Sequence, residues 1–466
     1  MEYKNEELEK FNKKLSESKV AIIGLGTSNI PLLDYMNELN ADTTVFDSRL
    51  KENIPQEIID KITNYNFKYY FGNDSLNNLR NFDIIFRAPS CMPTRPELKA
   101  EKENGAIVTT EIEMFMKLFP GKVIGVTGSD GKTTTTTLIY EILKNNGYNC
   151  YLGGNIGIPL FTEVKKTKPT DIAVLELSSF QLMEMETSPD ISVITNITPN
   201  HLNVHKDYEE YIEAKKNIFK HQDENGIVVL NYDNDITREC AKETEGKVIF
   251  YSSKTKLEDG IILDNNIIKE CKYKLRKHIL NTDEIILRGR HMHENACAAI
   301  AATMELVDPE IAAKTIKEFK GVEHRLEFVK EINGVKWYND SIGTSPTRTI
   351  AGLKSFNERI VLIAGGYDKK LDYTPIGGPI LEKVDDLILI GATAGKIFEA
   401  VKQEEEKQGK SIKIHMCDKF EDIVKIAQKV AKPGDIVLFS PASASFDMFK
   451  NFEERGNRFK ELVNKL

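Results

Sequence analysis

GVTGSDGKTTTTT, residues 125–137, is a glycine-rich turn that closes on Gly-Lys-Thr. KVIGVTG (122–128), which leads into the turn, reads as a buried strand, and TTLIYEILKNNGY, which leads out of it, carries apolar residues at helical spacing as far as Gly147. A strand that feeds a glycine turn and then a helix gathers free backbone N–H groups and the positive end of a helix dipole at one point, which suits a polyphosphate. Lys132 adds a point charge for β and γ phosphates, and the Thr133 hydroxyl is placed to reach Mg²⁺. A strict G-x-x-x-x-G-K-T needs glycine at 126, where this chain has Val126; its glycines stand at 125, 128 and 131, so the loop is a variant.

The bulk of the chain sets the frame for this loop. At 466 residues it exceeds what one hydrophobic core organises, and about 150 residues per domain gives about three domains. Hydrophobic residues at 41% and charged residues at 29% are those of a folded protein, and a net charge of -8 disfavours nucleic acid as the main partner. The six cysteines, at 91, 150, 240, 271, 297 and 417, show no zinc spacing and read as small apolar side chains in a reducing cytoplasm. The opening MEYKNEELEKFNKKLSESK lacks the apolar core of a signal peptide, and no later segment reaches 18 consecutive apolar residues. The expectation is a protein that is neither exported nor held in a membrane.

Three alternations of strand and helix follow one another. KVAIIGLGTSN (19–29) reads as a strand entering a glycine turn, IPLLDYMNELN as a helix, and TTVFDSR as a second strand ending in Asp47 and Arg49, where a Rossmann-like unit places groups for a ribose or phosphate. Asn29 stands where G-x-G-x-x-G has its third glycine, so a purely structural βαβ unit stays open on these residues. The second alternation contains the opening loop and the buried strands DIAVLELS (171–178) and ISVITNIT (191–198). The third carries RIVLIAGG (359–366), DDLILIGA (385–392) and GDIVLFSP (434–441), while the charge run KQEEEKQGK (402–410) reads as a solvated face. The fold class is α/β in three domains: a Rossmann-like N-terminal domain (1–110), a central P-loop ATPase-type parallel sheet (111–321) and a C-terminal Rossmann-like α/β domain (322–466).

The variant T-G-S-D-G-K-T resembles the ATP loop of the Mur ligase superfamily, which includes the folylpolyglutamate synthases. GGNIGIP (153–159), LELSSFQL (175–182), GVEHRLEFV (321–329), YNDSIGTSP (338–346) and SPASASFDMFKNFEERGNRF (440–459) resemble, in the expected order, segments of the branch that adds D-glutamate to UDP-N-acetylmuramoyl-L-alanine. The resemblance spans essentially the whole chain. It implies an ATP-dependent, ADP-forming amide ligase of bacterial cytoplasmic peptidoglycan synthesis. Such an enzyme activates the substrate carboxylate as an acyl phosphate, which the amine then attacks, and it uses two Mg²⁺ ions.

The resemblance also implies roles for particular residues. Gly128, Ser129, Asp130, Gly131, Lys132, Thr133, Thr134 and Thr135 would hold ATP phosphates, with Asn295, Arg325 and Asp340 around adenine and ribose. Thr133, Glu176, His201 and Lys215, the last as a carbamate formed with CO₂, would hold the metal ions, and Lys132, His201 and Lys215 are the catalytic set. Gly26, Thr27, Ser28, Asp47 and Arg49 would take the UDP end, with Asn155, Ser178 and Gln181 along the muramoyl part. Thr344, Lys369, Ser445, Phe446 and Phe452 would form the D-glutamate pocket. His205 reads as structural, and Ile342 stands where many relatives have lysine. Implied partners are small molecules, with no nucleic acid or membrane, and a monomer whose third domain closes over ATP. The competing readings are a folylpolyglutamate synthase or other Mur ligase, and a P-loop small-molecule kinase. Folylpolyglutamate synthases carry the loop close to the chain's start, whereas residues 1–110 precede the central domain here.

Overall fold

The computed structural model describes residues 3–199, 205–273, 275–287, 289–369 and 371–466. Among these residues the strands form three sheets. Two compact units contain them: one runs to Glu284 and includes Arg290–Lys317, and the other comprises Ile285–Gly289 and Glu318–Leu466.

The first sheet is wholly parallel, in the spatial order Lys68–Phe71, Asp42–Asp47, Lys19–Ile23, Ile84–Arg87, Ile107–Thr109. Its inner strands Lys19–Ile23 and Ile84–Arg87 read as apolar runs because both faces are covered, whereas the edge strand Lys68–Phe71 is largely exposed. Val20, Ile22, Val45 and Phe86 pack with Leu32, Leu33 and Met36 on one side, and Ala21, Ile23, Phe46 and Ile85 pack with Leu76 and Leu98 on the other. The chain reverses its order of strands between Lys19–Ile23 and Ile84–Arg87, so a crevice for ligands opens beyond their carboxyl ends. Gly24, Asp47 and Arg87 stand at those ends.

The second sheet begins at Cys150–Gly154 and continues through Ile172–Glu176, Lys122–Thr127, Ile191–Ile194, Ile227–Asn231, Lys247–Ser252 and Gly260–Asp264, all parallel. Two antiparallel strands, Ile267–Lys272 and Leu275–Asn281, extend it at the far edge. The strand Lys122–Thr127 lies inside the sheet and runs directly into the glycine turn, followed by the helix Lys132–Asn145. That helix packs against the alanine-rich helix Arg290–Thr303, whose small side chains permit close approach.

The third sheet lies in the smaller unit. Its order is Glu327–Ile332, Val335–Asn339, Ile436–Phe439, Ile360–Ala364, Val384–Ile390, Lys413–Cys417, parallel except for the first pair. Two apolar cores cover its faces, one centred on Leu362, Leu387 and Leu438, the other on Trp337, Phe439 and Phe459. The charge run at 402–410 is the outer end of the helix Ala394–Gln408, which stops at Gly409 in the left-handed conformation (φ 65°). Only Glu405 within that run turns inward, accepting from the Ile412 backbone N–H at 2.8 Å. The α/β architecture with parallel-dominated sheets is therefore the one the strand spacing predicts.

Candidate active site

The glycine turn is built by its neighbours as much as by its own residues. At Gly131 the backbone is left-handed (φ 80°), and a Cβ there would collide with Oδ1 of Asn295. Gly128 (φ 150°) has no room either, because the Thr195 hydroxyl occupies the place of a Cβ. Ser129 donates its backbone N–H to Asn196 O (2.8 Å), and Asp130 donates its own to Asn196 Oδ1 (3.0 Å). Thr195 and Asn196 in turn donate to the Asp130 carbonyl, at 2.6 and 3.1 Å. The strand end at Ile191–Ile194 thus clamps the loop, and the Lys132 ammonium reaches the carbonyls of Gly128 (2.8 Å) and Ser129 (2.9 Å).

Three further groups meet at this turn. Glu176 ends the adjacent strand, in register with Val126, and is 1% exposed. Its Oε1 accepts from Asn155 Nδ2 at 2.7 Å, while Oε2 is buried with no hydrogen-bond partner among the described residues. A buried carboxylate oxygen left unpaired costs more than the ~1–3 kcal/mol of a neutral group, so this oxygen is suited to a cation. Lys215, 2% exposed near the end of the helix Tyr208–Lys216, donates to Gly128 O (2.8 Å) and Thr127 Oγ1 (3.3 Å) across the Tyr211 ring. Burial, reinforced by the Lys132 charge, holds the Lys215 amine well below the ordinary lysine pKa despite the opposing pull of Glu176 and Asp130. The Tyr211 hydroxyl lies 2.9 Å from Ser129 Oγ, so the helix that carries Lys215 is pinned to the glycine turn twice.

Thr133 is buried at the helix start, Thr135 donates to Asn295 Oδ1 at 3.4 Å, and Thr134 lies between them in the first turn. Ser178 and Gln181 form a capping box: the Ser178 hydroxyl accepts from Gln181 N at 3.3 Å, and Gln181 Oε1 accepts from Ser178 N at 3.0 Å. They are thereby fixed just beyond Glu176. His201 lies outside the described residues. Among the described residues no cluster of three or more His, Cys, Asp or Glu has the arrangement of a metal site.

At the first sheet's edge, Asp47 accepts from Leu25 N (2.7 Å), Arg49 N (2.9 Å) and the Arg49 side chain (2.8 Å from both Nε and Nη2). Burial alone would raise its pKa, but the Arg49 and backbone hydrogen bonds overcome this and keep the carboxyl below its usual range. The pair locks the Gly24–Ser28 turn, leaving Gly26 and Thr27 exposed at its crest.

In the smaller unit, Asp340 is buried and accepts from Ser440 Oγ (2.6 Å) and Leu326 N (3.2 Å). Burial outweighs these bonds and pushes its pKa up to about 6. Arg325 is exposed on the turn before Leu326. Tyr367 N donates to Ala444 O (2.9 Å), which joins the strand end that carries Lys369 to the loop that carries Ser445 and Phe446. Phe446 is 60% exposed, with its ring edge-on to Tyr367. Ser445 is buried, and its carbonyl accepts from Met448 N and Phe449 N. Arg455, 1% exposed, donates to Ser341 O (2.8 Å), Ser443 O (3.0 Å) and Ala444 O (2.8 Å), tying the segment before Thr344 to the same loop. Phe452 precedes it, edge-on to His324.

Comparison with known proteins follows the same three parts. The MurD-like N-terminal domain model matches residues 18–110, the Mur ligase middle domain 126–303, and the Mur ligase glutamate ligase domain 324–443. A protein of Acetivibrio thermocellus named UDP-N-acetylmuramoylalanine–D-glutamate ligase is 51% identical over 464 residues, covering 99% of both chains. The chain belongs to the Mur ligase family. A second ligase of the same name, from Ruminiclostridium cellulolyticum, is 48% identical over 99% of this chain and 100% of its own. Among solved structures, the Mur ligases UDP-N-acetylmuramate–alanine ligase MurC from Thermotoga maritima (TM-score 0.56, 18% identity, 96% of this chain and 99% of that one) and MurF from Acinetobacter baumannii (0.56, 15%, 91% of each) share its fold. Mur ligases use ATP and Mg²⁺.

Several supporting residues of this Mur ligase carry no motif. Thr195 and Asn196 clamp the glycine turn from a segment that reads only as the end of an apolar strand. Tyr211 lies one helical turn before Lys215, and its bond to Ser129 is visible only in three dimensions.

Proposed function

We propose that this chain joins D-glutamate to UDP-N-acetylmuramoyl-L-alanine, with cleavage of ATP to ADP and phosphate, in a bacterial cytoplasm. The observations that carry the chemistry are a buried Glu176 oxygen with no hydrogen-bond partner among the described residues and, on the same glycine turn, a buried Lys215 amine that donates to the carbonyl of Gly128. In the reaction, the L-alanine carboxylate attacks the γ phosphorus of ATP and the bond to the ADP oxygen breaks. The D-glutamate amine then attacks the acyl carbon, the phosphate leaves, and the amine gives up a proton.

The protein's own residues divide this work. Backbone N–H groups of residues 128–131 and the Lys132 ammonium neutralise the polyphosphate and fix it at the helix start, where positioning and electrostatics supply most of the acceleration. Bound Mg²⁺ shields the anionic donor and acceptor from one another, and two ions fit the reading. We assign Thr133, Glu176, His201 and a carbamylated Lys215 to hold them. The Glu176 observation fits a cation, and the lowered Lys215 pKa favours the neutral amine that adds to CO₂, a change that turns a cation into an anion. Asp47 and Arg49 shape the turn of Gly26, Thr27 and Ser28 for the UDP end, and Asn155, Ser178 and Gln181 take the muramoyl portion. Thr344, Lys369, Ser445, Phe446 and Phe452 receive D-glutamate, with the Lys369 ammonium selecting for a second carboxylate. Asn295, Arg325 and Asp340 serve the nucleoside of ATP. The divisions 1–110, 111–321 and 322–466 and a monomeric state belong to the same proposal.

The test is phosphate release from ATP and Mg²⁺ with UDP-N-acetylmuramoyl-L-alanine, comparing D-glutamate, L-glutamate, L-lysine and no amino acid. Release stimulated only by D-glutamate, with a new amide by mass, is expected. Equal release without any amino acid would instead mark a kinase or an idle ATPase and overturn the reading.

A further inference from the structure

Arg87 ends the strand Ile84–Arg87, in register with Ile23 and immediately beside the Gly24 turn. It is 4% exposed, and its guanidinium donates to Cys91 O (3.2 Å) and to Met183 O (3.0 Å). Among the described residues no carboxylate forms an ion pair with it. A buried guanidinium held by carbonyls alone is a poor stabilising device, since an apolar side chain of similar volume generally serves packing as well or better. What the guanidinium offers instead is reach and shape: a planar fork holds two acceptors on separate segments, which neither methionine nor a lysine ammonium reproduces.

The two segments are not equivalent. Cys91 belongs to the loop that continues the first sheet past its ligand crevice, and Met183 closes the short helix Ser179–Leu182 of the second sheet's layer. That helix begins at the Ser178–Gln181 capping box, two residues after Glu176. The strip after Met183 is gripped from the same side: Glu113 Oε1 accepts from Glu186 N at 3.0 Å, and Lys102 pairs with the Glu186 carboxylate at 2.9 Å. Arg87 and Glu113 are the buried members of this joint, and Arg87 is the one beside the Gly24 turn.

We propose that Arg87 is a positioning residue that fixes the distance between the turn for the UDP end of the substrate and the Ser178–Gln181 turn for its muramoyl end. This rests on the ligase reading above. A substrate that bridges both turns feels an error in their spacing as lost affinity, while ATP, held at the glycine turn and Glu176, does not. Arg87→Met keeps the volume and removes both hydrogen bonds; Arg87→Lys keeps the charge and can hold only one carbonyl well.

The test is steady-state kinetics of the full chain with each variant. The expected result is a KM for UDP-N-acetylmuramoyl-L-alanine raised about tenfold in both variants, with the KM for ATP unchanged and melting temperature unchanged or higher for Arg87→Met. An unchanged KM for the UDP substrate, whether or not kcat falls, would make Arg87 a packing residue and overturn the proposal. Amide hydrogen exchange at 179–186 in the ligand-free protein supplies a readout that needs no turnover. Exchange at least about tenfold faster in Arg87→Met than in wild type is expected, and equal exchange would overturn the latch even if the wild type proved to use a different substrate. Wild type that shows no D-glutamate-dependent turnover while the exchange difference persists would count against the ligase reading alone. If Arg87→Met fails to fold, the Arg87→Lys comparison carries both readouts.

Discussion

Glu176 has two oxygens in unlike circumstances, one satisfied by Asn155 and one buried without a partner among the described residues. Glu176→Gln keeps an acceptor for Asn155 but puts an amide, a donor, where the orphaned oxygen sits. It is expected to lower kcat about 10²–10³-fold and to raise the Mg²⁺ concentration for half-maximal activity, while ligand-free stability stays equal or improves because a desolvated charge is gone. Magnesium titrations and urea melts of the two proteins check this; a variant that lost stability and activity together would show Glu176 to be structural. Lys215 carries the second residue-scale expectation. A neutral amine forms a carbamate and an arginine does not, so protein equilibrated with ¹³CO₂ should give a carbamate carbon resonance that Lys215→Arg abolishes together with at least about a hundredfold of kcat. A wild-type spectrum without that resonance would remove the carbamate from the mechanism. Neither condition is legible in a sequence: Lys215 and Lys216 are adjacent on a charged helix, and only packing buries the first without a carboxylate partner among the described residues while the second, half-buried, pairs with Glu213 and Glu243.

At the scale of elements, the helix Glu111–Leu118 is fastened by its first residue. Glu111 is 5% exposed, and its Oε1 accepts from Leu160 N (2.5 Å) and Phe161 N (2.6 Å), at the end of the loop that presents Asn155 to Glu176. Burial outweighs those two bonds and pushes its pKa up to about 7. Because the folded-state pKa lies above the unfolded one, near 4.5, the folded protein keeps a proton that the unfolded chain releases. Stability from this group therefore falls as pH rises from about 4.5 to about 7, by at most ~3 kcal/mol. Glu111→Gln should flatten that decline and be the more stable protein at pH 8, as urea unfolding at pH 5 and pH 8 would reveal; identical pH slopes would refute it. The inner strands were readable because they are buried on both faces and most appear as apolar runs, and the glycine turn because its residue types are dictated by chemistry. Ser178 and Gln181 show where reading stops. Their capping box satisfies an ordinary S-x-x-Q pattern, so the sequence alone does not separate a helix start from a substrate contact. The edge hairpin Ile267–Lys272 and Leu275–Asn281 is half exposed and lacks an apolar run, which hides it from the same reasoning. Arg87 hides for another reason: its partners are backbone carbonyls, and carbonyls leave no mark in a sequence.

For the whole molecule, the division into two compact units with separate cores sets an expectation for unfolding. Among the described residues, the cores around Leu362 and Trp337 contain residues of the smaller unit alone, and the two clusters that cover the first sheet contain residues of the larger unit alone. Units with cores of their own melt with their own enthalpies, so calorimetry should give two transitions, or a van't Hoff enthalpy below the calorimetric one. The residues assigned to the UDP substrate all belong to the larger unit, and those assigned to D-glutamate all belong to the smaller. A ligand at a hundred times its Kd stabilises the unit it binds by about 2.7 kcal/mol. For a unit the size of the smaller one that is a shift of about 5–10 °C, and somewhat less for the larger. UDP-N-acetylmuramoyl-L-alanine without ATP should therefore raise only the transition of the larger unit, and D-glutamate alone only that of the smaller. The assignment of transitions follows from Arg455→Met, whose buried guanidinium lies wholly within the smaller unit and whose loss should move that transition and leave the other in place. A UDP substrate that shifted the Arg455-sensitive transition, or a single transition with equal enthalpies, would contradict this division of labour.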